Sequence, residues 1–117
     1  MSINSRQKGK RGELELAHKL SKYGYSARRS QQYAGINNDA DVVGLPHIHI
    51  ECKRVEKLNL GQALEQSMRD AKSDEVPVVM HRKSRQKWLV TVPLEEFMEM
   101  YQAWEKEVFK DDGKSTT

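Results

Sequence analysis

The sequence predicts an α/β fold: a mixed five-stranded sheet flanked by helices, in the order α-β-β-β-α-β-β-α. Three observations point to it. Apolar residues recur at helical spacing near the start, in the middle and at the end of the chain. Between these stretches lie short runs of alternating apolar and polar residues, rich in Val and Ile. Gly, Pro and Asn mark the places where one period gives way to the other. A chain of 117 residues suits one such domain, since domains commonly hold about 100–150 residues. Residues 1–110 are expected to form it, and 111–117 to be a frayed tail like the first few residues.

The first helix is expected over residues 6–23, where Leu16, Ala17 and Leu20 share a stripe and Gly24 supplies the stop. Tyr25 to Arg29 is a short strand, and 30–38 a loop containing Gly35 and Asn37-Asn38. Ala40 to Gly44 and His47 to Arg54 read as two strands of a hairpin about Gly44-Leu45-Pro46. Asn59 and Gln62 have the spacing of a capping box. The helix they open, over 60–72, is expected to bury Leu60, Ala63, Leu64, Met68 and Ala71. Val76 to His81 and Lys87 to Val92 complete the sheet. Pro93 suits the first turn of a last helix, which is expected to bury Leu94, Phe97, Tyr101, Trp104 and Val108.

Composition narrows the function. Charged residues make up 32% of the chain and apolar ones 37%, so the core is lean. No apolar run approaches the ~20 residues a membrane helix needs, and the opening residues lack the apolar core of a secretory signal. A cytoplasmic location is therefore expected. The lone Cys52 excludes an internal disulfide and a cysteine-based zinc site. Net charge is only +3, but its distribution is uneven. Arg6, Lys8, Lys10, Arg11, Lys19, Lys22, Arg28 and Arg29 face only Glu13 and Glu15 over residues 6–29, and Arg82, Lys83, Arg85 and Lys87 form a second block. Clustered cations suit a polyanion such as nucleic acid. Lys8, Lys10, Arg11, Arg28 and Arg29 are the candidate contacts to a DNA backbone, which give affinity without reading sequence.

The chemistry is carried by the hairpin. Alternate residues of a strand share a face, so Ile48, Ile50 and Cys52 point into the core while His49, Glu51 and Lys53 point the other way. Asp41 lies on the preceding strand among Ala40, Val42 and Val43, where a carboxylate is costly to bury without a counter-charge. For Asp41 to share the face of Glu51, paired residue numbers must sum to an even value. That requires an odd-length turn, such as Leu45-Pro46-His47, or a bulge. Asp39 shares the face of Asp41 and is the reserve candidate. Glu13 sits at the centre of the first helix's apolar stripe, where an acid needs either a metal or a salt bridge, while Glu15 is expected to face solvent. Two carboxylates and the main-chain carbonyl of Cys52 make an all-oxygen site that favours Mg²⁺ or Mn²⁺ over zinc. Lys53 on the same face can orient a water or stabilise developing negative charge. His49 is better placed to support this site or to contact DNA than to ligate the metal.

Three segments, taken in order, resemble the PD-(D/E)xK nuclease superfamily, and within it the archaeal-type Holliday-junction resolvases and their phage relatives. Lys8-Gly9-Lys10-Arg11-Gly12-Glu13 resembles the basic opening of the first helix, Ala40-Asp41-Val42-Val43-Gly44 the aspartate strand, and Ile50-Glu51-Cys52-Lys53 the Glu-x-Lys strand. Ala40 stands where the family usually has proline, and the segment 30–35 only loosely resembles the resolvases' Ser-containing loop. The resemblance implies a restriction-endonuclease-like core, with Asp41 and Glu51 as metal ligands, Lys53 as the catalytic lysine and Glu13 as a metal-associated acid. It further implies that Gln66 faces the site, although that position equally suits a solvent-facing polar residue, and that the chain acts as a homodimer on four-way or otherwise branched DNA. A seam involving Met98, Met100, Tyr101 and Trp104 is one way to build that dimer; the same residues also suit plain core. Two other functions keep the same fold: a restriction- or repair-type nuclease acting on linear or nicked DNA, and a DNA-binding module without catalysis.

Overall fold

The computed structural model describes residues 2–30 and 40–109, with side chains from residue 9 onward. Helix α1 spans Ser2–Ser21, strand β1 Arg28–Arg29, β2 Val42–Val43 and β3 Ile48–Arg54. Helix α2 spans Leu60–Asp70, β4 Val76–Arg82, β5 Leu89–Thr91 and helix α3 Leu94–Phe109. The expected order of elements is the observed one. The expected frayed start is not, because α1 reaches back to Ser2. Strands β1 and β2 are also shorter than expected, since only two residues of the 25–29 run and two of the 40–44 run enter the ladder.

The sheet runs β1-β2-β3-β4-β5 in chain order. All neighbouring pairs are antiparallel except β3 and β4, which are parallel and joined by α2. A parallel pair needs such a crossover. Pro77 tolerates an interior position because Val76 N–H donates to His47 O. The next residue's missing N–H therefore points away from β3, toward a stretch where β5 has not yet begun its ladder at Val79.

The core lies between α1 and one face of the sheet. Leu16 and Ala17 meet Val42, Ile50, Cys52, Val78 and Met80 there. Two glycines allow this packing. A Cβ on Gly12 would stand 2.5 Å from Arg54 Cβ, so the bare backbone lets α1 approach β3. Gly44 has φ +112°, and a Cβ there would meet Ser26 O at 2.2 Å.

Helix α2 covers the other face. Asn59 Oδ1 accepts from Gln62 N–H at 3.1 Å, so the expected N-cap is present. The helix buries Ala63 and Ser67. Met68, expected inside, is 51% exposed, and its place facing the sheet is taken by Ser67. The Ser67 hydroxyl lies 3.0 Å from Val78 O and 3.3 Å from His49 O, at the seam of the two parallel strands.

Helix α3 departs most from expectation. Its acidic first turn suits the positive end of a helix dipole, and its apolar stripe is present. Yet none of its residues is buried. The stripe is amphipathic as expected, but the described residues of this chain supply no surface that buries it. The described chain is accordingly elongated, with extents of 58 × 32 × 28 Å.

Candidate active site

The register of the β2–β3 hairpin sets the geometry. Val42 pairs with Ile50, and extending that register leaves Leu45, Pro46 and His47 to cross the turn. This is the odd-length turn that brings Asp41 to the face of Glu51. His47 takes a positive φ of 70° within it. Asp41 N–H donates to Ile50 O at 2.9 Å, and its own carbonyl accepts from Ser30 N–H at 3.0 Å, so its backbone is fixed from both sides. Its side chain reaches back across the strand, where Oδ2 accepts from Cys52 N–H at 2.9 Å.

Glu51 is 5% exposed. Lys53 Nζ lies 3.9 Å from Glu51 Oε2 and is about one third exposed, so the ammonium remains open to a ligand. Burial, and next the charge of Asp41, push the Glu51 carboxyl up to about 7, with Lys53 opposing. Asp41 is raised by burial despite the Cys52 N–H and Lys53. Glu13 is raised by burial and by Asp41, against the pull of Arg29. The three acids thus sit in one desolvated patch with more negative charge than their cations neutralise. Burial raises the Cys52 thiol as well, leaving it an unreactive core group.

Glu13 is held by a salt bridge. Arg29 Nε donates to its Oε1 at 2.7 Å. Arg29, expected to contact DNA, therefore has a partner within the chain, whereas Arg28, Lys10 and Arg11 are exposed. Gln66 is half-buried on α2. Asp39 and the Lys8 side chain lie outside the described residues.

The contacts of two neighbours, Glu15 and His49, were not legible in the sequence. Glu15, expected in solvent, instead gathers a cluster. It accepts from Arg54 Nε and Trp88 Nε1, each at 3.3 Å, and from Arg82 Nη1. His49 is 2% exposed, with Nδ1 3.4 Å from Glu75 Oε1 and Nε2 without a hydrogen-bond partner among the described residues. Its alternation onto the Glu51 face was the only sequence signal for it.

Among the described residues, no three His, Cys, Asp or Glu side chains gather as a metal cage of their own. The groups that act on one another here, Glu13, Asp41 and Glu51, are carboxylates, the donor type suited to a hard cation that keeps several waters. The raised carboxyls fit such an ion, because a bound cation would offset the cost of holding their charge in a buried site.

A family described as "Phage putative PDDEXK endonuclease" matches residues 4–113. The chain belongs to this PDDEXK endonuclease family. Its fold is also that of a solved structure, Archaeoglobus fulgidus Hjc, described as a Holliday junction resolvase from an archaeal hyperthermophile. The two are 22% identical with a TM-score of 0.56, over 70% of this chain and 74% of that one. No curated protein sequence gives a match. The family and the fold agree with the resemblance read from the three sequence segments. Among the described residues of this endonuclease, no helix is long and apolar enough to cross a membrane.

Proposed function

We propose that this endonuclease cuts branched DNA, most specifically a four-way junction, with Mg²⁺ or Mn²⁺ as its cofactor. The observation that carries the reading is the patch formed by Asp41, Glu51 and Lys53: two desolvated acids, one raised to about 7, beside a partly exposed ammonium. Asp41, Glu51 and the Cys52 carbonyl would hold the metal, with Glu13 at its margin. When bound, the ion would neutralise charge on the scissile phosphate and acidify a water.

The chain's own groups do the rest. The Cys52 N–H fixes the Asp41 carboxylate through a bond that also spans the two strands. Arg29 holds Glu13 in place. Lys53 is near enough to Glu51 to compensate its charge and open enough to meet a phosphate oxygen as negative charge develops there. Lys10, Arg11 and Arg28 supply exposed cations for the DNA backbone, and Gln66 is a further candidate contact. A cytoplasmic role in recombination or repair suits a nuclease of this kind. A homodimer would match the two opposed strands of a junction.

The test is cleavage of a labelled four-way junction and of a linear duplex of the same sequence, each with Mg²⁺ and with chelator. Paired, symmetric nicks in the junction alone, abolished by chelator, are expected. Equal cutting of the duplex would replace the junction with a linear substrate. Tight binding with no divalent-dependent cutting of any DNA would overturn the catalytic reading.

A further inference from the structure

Among the described residues, the apolar stripe of α3 has no partner that buries it. Leu94, Phe97, Tyr101, Trp104 and Val108 follow one another at the spacing of a single helical face. Tyr101 is nevertheless 41% exposed and Trp104 52%. Phe97, Tyr101, Trp104 and Phe109 contact one another ring to ring along the helix. A buried aromatic covers about 150–250 Å², so these four leave roughly 300–500 Å² of ring surface in water. That alone reaches the largest apolar patch of a typical monomer, about 300–600 Å², before Leu94, Met98 and Val108 are added.

The complementary surface lies elsewhere on the same chain. Helix α1 packs over β1, β2 and β3, which leaves the β4–β5 end of its sheet face only partly covered. A groove of about 680 Å³ runs there between α1 and β5, with Leu20, Met80, Trp88, Leu89 and Val90 among its walls. Lys19 and Lys87 stand along it, while Arg82 in its wall is paired with Glu15. α3 carries five glutamates against one lysine, so the acidic helix and the basic-edged groove are complementary in charge as well as in polarity.

The connection between strand and helix favours exchange over closure. β5 ends at Thr91 and α3 starts at Leu94, leaving only Val92 and Pro93 between them. Proline fixes its own φ and holds the preceding residue extended. Phe97 N–H already donates to Pro93 O, so the helix is committed from that point. A short, stiff hinge of this kind invites an element to pack on a neighbour instead of folding back.

We propose that α3 of one copy seats its aromatic stripe in the α1–β5 groove of a second copy, and that the exchange is reciprocal. Two such contacts, counting helix and groove together, fall within the roughly 1,200–2,000 Å² of a stable interface. The proposal names the seam of the pair suggested above, but it rests on packing and not on the nuclease reading.

The test is sedimentation equilibrium without DNA. The unaltered chain is expected to be a dimer. Phe97→Glu with Trp104→Glu is expected to weaken association at least a hundredfold, whereas Ala103→Glu on the opposite face leaves it unchanged. Because α3 has no buried residue, circular dichroism and thermal melting of the separated variant should still report a folded sheet domain. Equimolar Tyr101→Cys and Leu20→Cys chains, mixed and oxidised, should give a covalent heterodimer, and neither alone should do so as readily. A monomeric unaltered chain, a dimer indifferent to the Phe97 and Trp104 changes, or an intrachain link in the doubly substituted chain would each overturn the exchange. Cutting is scored separately: a dimer that fails to cleave DNA sinks the nuclease reading alone, and a cutting monomer sinks this one alone.

Discussion

The Cys52 N–H donates to Asp41 Oδ2 over 2.9 Å, linking the main chain of one strand to the side chain of its neighbour. The bond steadies an acid whose pKa burial raises, and it opposes that rise without cancelling it. It also places the Cys52 carbonyl, Asp41 and Glu51 on adjoining parts of one hairpin. On the proposed reading this hairpin receives a divalent cation, and that has measurable consequences.

The first concerns the metal. Asp41→Asn and Glu51→Gln each remove a proposed ligand charge, and Lys53→Ala removes the ammonium. Each is expected to lower the cleavage rate by roughly a hundredfold or more, the scale of a few kcal/mol of transition-state stabilisation. Affinity for DNA should change little, because Lys10, Arg11 and Arg28 remain. Thermal melting gives an independent readout: Mg²⁺ should raise the melting temperature of the unaltered protein, and do so less in the Asp41 and Glu51 variants. Normal cutting by these variants would show that the site lies elsewhere.

A second prediction follows from the direction of the pKa shifts. Glu51 is raised to about 7 from an ordinary value of 4.5. An acid raised on folding binds its proton more tightly in the native state, so its contribution to stability is complete below about pH 4.5 and is lost as pH rises toward 7. Asp41 and Glu13 shift in the same sense. Without divalent metal, the protein should therefore lose stability between about pH 4.5 and 7.5, with Glu51 contributing on the order of 3 kcal/mol. Glu51→Gln should flatten this slope and be the more stable protein at pH 8. Mg²⁺ should oppose the loss, because it favours the ionised carboxylates. Urea denaturation at a series of pH values, with and without Mg²⁺, measures all three effects.

Much of this site was legible because it is local. The alternation of Ile48, Ile50 and Cys52 with His49, Glu51 and Lys53 fixes which side chains share a face. The need for Asp41 to join them fixes the parity of the turn. Both follow from the twofold period of a strand. Glu13 was legible as an acid in an apolar stripe, though not its partner, because Arg29 comes from a strand whose place depends on the whole sheet. The same limit hid the surroundings of Glu15, whose partners Arg54 and Arg82 lie 39 and 67 residues away. The last helix illustrates a different limit. Periodicity tells which side of α3 is apolar but not which molecule covers it, so Phe97, Tyr101 and Trp104 were expected in a core that the described residues do not build around them.

The Glu15 cluster yields a third prediction. Its carboxylate serves two guanidinium groups and the Trp88 indole, tying α1 to β3, β4 and the approach to β5. Glu15→Ala leaves Arg54 and Arg82 side by side without that acid, although Arg54 retains Glu56 at 3.6 Å. Glu15 is about one third exposed, so solvent screens part of the loss, and a destabilisation of roughly 1–2 kcal/mol is expected. Glu15→Gln should recover part of it by keeping acceptor geometry. Equal stability of all three proteins in urea would show that the cluster is ornamental to folding.

The glycines of α1 and the hairpin separate helix propensity from close packing, and the expected effects differ in sign. Gly9 lies in α1 with nothing within 4 Å of a prospective Cβ. Gly9→Ala should therefore stabilise the protein by up to about 1 kcal/mol, the difference in helix propensity. Gly12 occupies the same helix, but a Cβ there would stand 2.5 Å from Arg54 Cβ. That neighbour is the root of its side chain and cannot swing aside, so α1 must lift from β3. Gly12→Ala is expected to cost roughly 1–3 kcal/mol, the usual range for overpacking, and more than its propensity gain. Gly44→Ala should be the most damaging, because it adds a Cβ 2.2 Å from Ser26 O at a φ of +112°. Chemical denaturation of the three variants should thus rank Gly9→Ala above the unaltered protein, then Gly12→Ala, then Gly44→Ala. A stabilising Gly12→Ala would mean that α1 does not approach β3 as closely as the core requires, and Glu13 would then stand too far from Asp41 to share its patch.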